Sequence, residues 1–157
     1  MSQSTRVNLH CHSNLSDGYL SPEAIAEQMA AADVRCASLT DHDTVAGLAR
    51  FRDTLARFGI GCISGLEISA RAQEWDVHLL AYGFDPDHPA LRQLLEPLTP
   101  PGDAATLVDS LKGSWSRIRG KENHGEANSG PHGALPSTAD AIAAVHRAGG
   151  RVFLAHP

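Results

Sequence analysis

The chain has 157 residues, 42% of them hydrophobic and 20% charged, which is one domain's worth of globular protein and short of the roughly 250 residues usual for a complete eight-fold β/α barrel. Its 18 acidic residues against 13 basic ones give a net charge of −5, with no run of Lys or Arg, so the electrostatic footprint for long duplex nucleic acid is absent. No apolar run reaches the roughly 18 residues of a membrane span, the start MSQSTRVNLHCH lacks the basic and apolar stretches of a signal peptide, and Cys11, Cys36 and Cys62 are odd in number with no C-x-x-C pair. The expectation is a cytoplasmic protein with reduced core thiols.

Short β-branched runs alternate with amphipathic stretches along the chain, the pattern of β/α units. The first strand is expected at 7–12. A Ser-Asp-Gly loop (16–18) follows, then a helix capped by Ser21 with Pro22 at its first position, whose Ile25, Met29 and Ala32 recur at helical spacing. The second strand is expected at 36–42. Thr44 caps a second helix with an inward stripe of Val45, Leu48, Phe51, Leu55 and Phe58, ended by Gly59. A third strand at 61–69 turns through Ala72-Gln73-Glu74 into a fourth at 76–83. So short a connection suits an antiparallel hairpin, which makes the sheet mixed. Residues 97–136, rich in Pro, Gly, Ser and Asn, are expected to be an irregular loop apart from a short helix at 104–111. Ser137 and Asp140 then start a helix with Ile142 and Val145 inward, stopped by Gly149-Gly150, and a final strand begins at Arg151.

Nine histidines are many for this length, and their placement is what matters. Side chains on a strand alternate faces, so His10 and His12 in N-L-H-C-H point the same way, roughly 6.5 to 7 Å apart, with Cys11 turned to the other side. Asp17 follows on the glycine-containing loop. The second strand ends in Asp41-His42-Asp43, the third in Glu67, the fourth carries His78, and the last ends on His156. Each expected strand brings a metal-competent side chain toward its C-terminal end, where β/α sheets build their sites. Burying these ionisable groups together without a cation would be costly. Several imidazoles with carboxylates and no thiolate suit Mn²⁺, Fe²⁺ or Zn²⁺, and the surplus of donors implies two or three ions.

H-x-H, S-D-G, L-T-D-H-D, G-x-E, D-V-H-L-L-A-Y and a helix ending G-G before A-H-P together resemble the polymerase and histidinol phosphatase (PHP) superfamily. The likeness is to its stand-alone phosphoesterases and spans residues 6–96 and 137–157. It implies a distorted seven-stranded β/α barrel, of which this chain would supply about five strands as a single domain over 1–157, with the 97–136 loop in place of a helical insertion. It implies that His10, His12 and Glu67 hold one ion, that Glu67 bridges to a second held by His78 and His156, and that Asp17 and His42 hold a third. The family's later D-x-H motif is not found.

With such ions a metal-activated hydroxide would be the nucleophile and no catalytic side chain is needed; Ser16, Ser38 and Ser64 have no triad-like context. Asp41 and Asp43 are expected to orient ligating histidines, with helix capping the other reading of Asp43. His88, His124, His132 and His146 are expected to be plain surface or loop residues. Arg117 and Arg119, with Lys121, are candidate phosphate contacts. Trp115 is a candidate for stacking on a base, and Trp75 is expected to pack in the core or hairpin. The expected function is hydrolysis of a phosphorylated small molecule, a nucleotide first, with exonuclease action on short oligonucleotides and a catalytically impaired metal-binding or interaction module as alternatives. Open sheet edges would favour a homo-oligomer or a further C-terminal segment.

Overall fold

The computed structural model describes residues 6–98 and 135–156. The expected helix at 104–111, the basic residues Arg117, Arg119 and Lys121, Trp115, His124 and His132 lie outside these residues. The chain runs through β1 (Arg6–Asn8), α1 (Pro22–Ala31), β2 (Val34–Ala37), α2 (Leu48–Arg57), β3 (Gly61–Cys62), β4 (Gly65–Ala72), β5 (Trp75–Tyr82), α3 (Pro89–Leu95), a 3₁₀ turn (Glu96–Leu98), α4 (Thr138–Arg147) and β6 (Arg151–Leu154). Among the described residues these form two three-stranded sheets, a parallel β1-β2-β3 and an antiparallel β4-β5-β6.

Local chemistry accounts for most of the boundaries. Ser21 Oγ accepts from the amide of Ala24 ahead of Pro22, and Ser137 Oγ accepts from the amide of Asp140 at 3.1 Å, so α1 and α4 begin where the capping residues stand. The hairpin is antiparallel, with Ala72 opposite Trp75 and Gln73 at φ 57° in the two-residue turn, the left-handed backbone that so tight a connection needs. The core is built from Leu39, Phe51, Leu55, Leu66, Ile68, Leu91 and Val145, each stabilising by roughly 1.5–3 kcal/mol through burial. α1 packs on α2 and β2, and α4 on β4, β6 and α3.

Several expectations are corrected. β1 ends at Asn8, so His10 and His12 stand beyond it, and β2 covers 34–37 rather than 36–42. The expected third strand breaks at Ile63-Ser64 into β3 and β4, which join different sheets; Glu67 therefore sits near the start of β4 and not at a strand end. α2 begins only at Leu48 with no side-chain cap, because Thr44 Oγ1 accepts from the amide of Ala46 in the turn before it and Val45 stays outside the helix. Phe58 is the C-cap of α2 and 46% exposed. In α4 the inward face is Ala141, Ala144 and Val145, while Ile142 is 36% exposed. Trp75 is 65% exposed at the hairpin end rather than packed. An additional helix, α3, has its signal in His88-Pro89: His88 Nδ1 accepts from the amide of Ala90 and Pro89 takes the first helical position. No helix among the described residues is long and apolar enough to cross a membrane.

Candidate metal centre

Residues 9–12 leave regular strand geometry but keep its direction. The amide of Ser38 donates to Asn8 O, and Cys11 and Thr40 exchange bonds, Thr40 N to Cys11 O at 2.9 Å and Cys11 N to Thr40 Oγ1 at 3.2 Å. Alternation therefore persists without a strand: Cys11 Sγ turns to Ser38 O, while His10 and His12 turn the other way and bring their Nε2 atoms within 3.0 Å of each other. Across from them, the amide of Glu67 donates to Asp41 O and the amide of Asp43 to Glu67 O, a parallel bridge between His42 and Glu67 that connects the two sheets.

The side chain of Glu67, fully buried, lies at the centre. Its Oε2 is 2.8 Å from His10 Nε2, 3.1 Å from His12 Nε2 and 3.7 Å from His42 Nε2. Its Oε1 is 3.1 Å from His78 Nδ1, in the middle of β5, and 3.5 Å from His156 Nε2, just past β6. Asp17 Oδ1 is 3.4 Å from His12 Nδ1, and the rings of His12 and His42 stack at 4.7 Å. All seven side chains expected at a metal site thus converge, and five of them, His10, His12, Asp17, His42 and His156, stand outside the strands.

The electrostatics follow from burial and proximity. Burial alone would raise the Glu67 carboxyl, but hydrogen bonds from His12 and His78 and the neighbouring imidazoles hold it far below the usual carboxylate range. Burial opposes a charge on His12, yet its bond to Glu67 and the nearby Asp17 outweigh that and raise it. Burial pushes His42 down to about 3, so near neutral pH its imidazole is uncharged, the form that ligates metal. Burial likewise lifts Asp43 to about 6 against the bond that it accepts from Ser69 N.

Two features test whether the group fits a cation. His12 Nδ1 is buried and meets only the Asp17 carboxylate at 3.4 Å, without a well-formed hydrogen bond, which is costly in a dry site. His10 and His12 aim their Nε2 atoms at one another and at the same carboxylate oxygen, and only one of them can donate to the other, whereas one cation can take both lone pairs. Three overlapping groups among the described residues have ligand atoms within 4.8 Å of one another: His10, His12 and Glu67; His12, Asp17 and His42; His42, Glu67 and His78. The residues present fit divalent metal.

The acidic neighbours do not behave as expected. Asp41, 2% exposed, touches no histidine through its carboxylate; it accepts from Ser13 N, Ser13 Oγ and Ser16 Oγ. Asp43 caps no helix and instead accepts from Ser69 N on β4. Ser13 and Ser16 and the bond from Tyr82 Oη to Leu9 O at 2.8 Å were not marked by the sequence as parts of the site; the only signal was two serines spaced to face one buried acid.

Residues 8–120 match the PHP domain. The chain is 37% identical over 91 residues to a 5'-3' exoribonuclease of Haemophilus influenzae, covering 58% of this chain and 33% of the relative. It is 40% identical over 85 residues to a 3',5'-nucleoside bisphosphate phosphatase of Chromobacterium violaceum, covering 54% of this chain and 30% of the relative. It therefore spans about a third of the length of these relatives. In fold it is similar to a protein of Bifidobacterium adolescentis named as a candidate metal-dependent phosphoesterase, with TM-score 0.75 and 23% identity over 98% of this chain and 68% of that one. With the match covering most of its length, this chain belongs to the PHP domain family.

Proposed function

We propose that the protein is a metal-dependent phosphoesterase that hydrolyses a phosphorylated small molecule, a nucleotide, and that its two sheets are segments of a distorted barrel of PHP type within a single domain. The observation that carries the reading is the position of Glu67, whose two carboxylate oxygens face separate sets of histidines, Oε2 toward His10, His12 and His42 and Oε1 toward His78 and His156. A carboxylate so placed suits a bridge between two ions. His10, His12 and Glu67 would hold one, Glu67, His78 and His156 a second, and Asp17 and His42 a third, with Mn²⁺, Fe²⁺ or Zn²⁺ matched to imidazole and carboxylate donors.

Bound divalent ions would neutralise phosphoryl oxygens and acidify water at the centre. The chain's own part is to hold the donors ready. Glu67 stays ionised through its histidine contacts, His42 stays neutral through burial, and the His42–Glu67 bridge fixes both on one backbone pairing. Among the described residues that flank the ligands, Ser13 and Ser16 are committed to donating to Asp41, and Cys11 faces Ser38 with its thiol pushed up to about 12 by burial, so none of the three is placed as a nucleophile. The relatives' names, a nucleoside bisphosphate phosphatase and an exoribonuclease, support a nucleotide-type substrate.

The test is phosphate release with Mn²⁺ present from a nucleoside 3',5'-bisphosphate and from a short oligoribonucleotide, alongside calorimetric Mn²⁺ titration of the same protein and of Glu67→Ala. Release from the bisphosphate that Glu67→Ala loses together with its metal supports the reading. Preference for the oligonucleotide replaces it with an exonuclease. Metal binding without turnover of either replaces it with a metal-binding module.

A further inference from the structure

Three segments that bear candidate ligands meet at one residue that bears none. The loop at 12–17 begins with His12 and ends with Asp17, and among the described residues the carboxylate of Asp41 takes its donors from that loop: Ser13 N, Ser13 Oγ at 2.6 Å and Ser16 Oγ at 2.7 Å. The next residue in the chain is His42. The carbonyl of Asp41 accepts from the amide of Glu67. We infer that Asp41 is the positioning residue of the His12, Asp17 and His42 group, its buried carboxylate fixing the 12–17 loop so that His12 and Asp17 meet His42. The inference rests on the metal-centre reading and adds to it a residue that touches no ligand side chain.

The loop's own bonds show why an external anchor is needed. Ser16 N and Gly18 N both donate to Ser13 O, and Asn14 N donates to Leu20 O, so the loop is closed upon itself and its shape is set internally. Those bonds leave its placement against the second segment undetermined. The pairing of Cys11 with Thr40 fixes the stem before His12, and beyond it the carboxylate holds the residues next to both donors, Ser13 after His12 and Ser16 before Asp17. Ser13 Oγ, while donating to Asp41, also accepts from Leu15 N, which ties the anchor to the turn. A buried carboxylate with every observed partner in one loop is costly unless well satisfied, and bonds of hydroxyl and amide to an ionised acceptor are among the stronger ones available. Supports of this kind typically change metal affinity by about 10–100-fold when removed.

The experiment titrates the metal-freed full chain with Mn²⁺ by calorimetry and electron paramagnetic resonance, comparing wild type with Asp41→Ala, Asp41→Asn, Ser16→Ala, His42→Ala and His78→Ala. The expected result is that Asp41→Ala weakens by about 10–100-fold the binding step that His42→Ala removes, and spares the step that His78→Ala alone removes. Asp41→Asn keeps Oδ1 for Ser13 N and Ser16 Oγ and should recover most of the loss. Ser16→Ala removes one bond, should show a smaller loss in the same step, and decides the matter if Asp41→Ala does not fold. Unchanged binding in Ser16→Ala and Asp41→Ala overturns the inference, as does weakening of every step in parallel with lost thermal stability, the mark of a purely structural acid. A wild type that binds no Mn²⁺ overturns the metal reading itself, whereas a wild type that binds and loses a step in His42→Ala but not in the Asp41 and Ser16 variants overturns this inference alone.

Discussion

The backbone of Glu67 receives His42 in a parallel bridge, with Glu67 N donating to Asp41 O at 3.2 Å and Asp43 N to Glu67 O at 2.9 Å. This pairing lies outside either regular sheet, yet it joins the end of the segment after β2 to the start of β4 and so sets the separation of two candidate ligands. What permits it is Gly65. A Cβ there would stand 2.0 Å from Ser38 Oγ and 2.6 Å from Leu39 O, and the second of these is backbone that cannot swing away. Gly65→Ala is therefore expected to push β4 off the 38–42 segment, costing about 1–3 kcal/mol as an overpacked site does and weakening Mn²⁺ binding more than a surface control such as Glu74→Ala. Urea denaturation and calorimetry on the same preparations check both parts; an alanine variant with native stability would contradict the close approach.

In the metal-free protein Glu67 also sets the charge on His12. Burial works against protonation of His12, and its raised value depends on the bond to Glu67 and on the nearby carboxylates. Glu67→Gln keeps the shape and removes the charge, so the His12 pKa should fall, and stability near neutral pH should drop by about 1–3 kcal/mol as buried donors lose an ionised acceptor. Imidazole resonances followed against pH in chelated protein give the first quantity and urea midpoints the second. An unmoved His12 titration would show that Asp17, not Glu67, holds its proton.

How much of this was legible in the sequence depends on how local each feature is. The side-chain caps at Ser21 and Ser137 and the hairpin at Gln73-Glu74 are decided within a few residues, and the sequence placed all three. The seven candidate ligands were named because histidines and carboxylates recur at fixed places between apolar runs. Placement at strand ends holds only partly: His10, His12 and His42 stand in irregular backbone braced by Cys11, Thr40 and Glu67, His156 lies two residues past β6, and Glu67 is the third residue of β4. The break between β3 and β4 carries one local signal, the Ser64-Gly65 dipeptide, which is too weak by itself to divide so apolar a run; what splits it is pairing to β2 on one side and β5 on the other. The partners of Asp41 were likewise out of reach, since they join residues 25 and 28 positions apart.

Two neighbouring groups with opposite shifts make opposite demands on pH. His42 folds with its pKa depressed to about 3 from 6.5, so between those values the unfolded chain binds the extra proton and stability falls as pH falls. Asp43 folds with its pKa raised to about 6 from 3.8, so between those values the folded chain binds the extra proton and stability rises as pH falls. Over roughly pH 4 to 6 the two effects oppose each other. Asp43→Asn retains an oxygen for Ser69 N and removes the second effect, so the chelated variant should lose stability on acidification through that window with an added slope of up to about 1.4 kcal/mol per pH unit. Urea midpoints at intervals from pH 6.5 to 4 measure it, and parallel curves for the two proteins would show that His42 or Asp43 titrates elsewhere.

The three thiols separate by environment. Burial, with Asp41 and Cys62 adding to it, pushes Cys11 up to about 12, and burial raises Cys62 as well. Only the thiolate attacks an alkylating reagent, and at pH 8 a group titrating near 12 is ionised in on the order of one molecule in ten thousand. Cys11 also donates its hydrogen to Ser38 O at 3.3 Å, which it must give up to react. Iodoacetamide at pH 8 should therefore modify Cys11 in the folded chain far more slowly than in urea, by at least about 100-fold, with peptide mass spectrometry resolving Cys11 from Cys36 and Cys62. Because Cys11 stands between His10 and His12 and turns away from them, its protection should persist whether the protein is chelated or saturated with Mn²⁺. Protection that appears only with metal would instead mean that the 9–12 segment is ordered by the ions rather than by its pairing with Ser38 and Thr40.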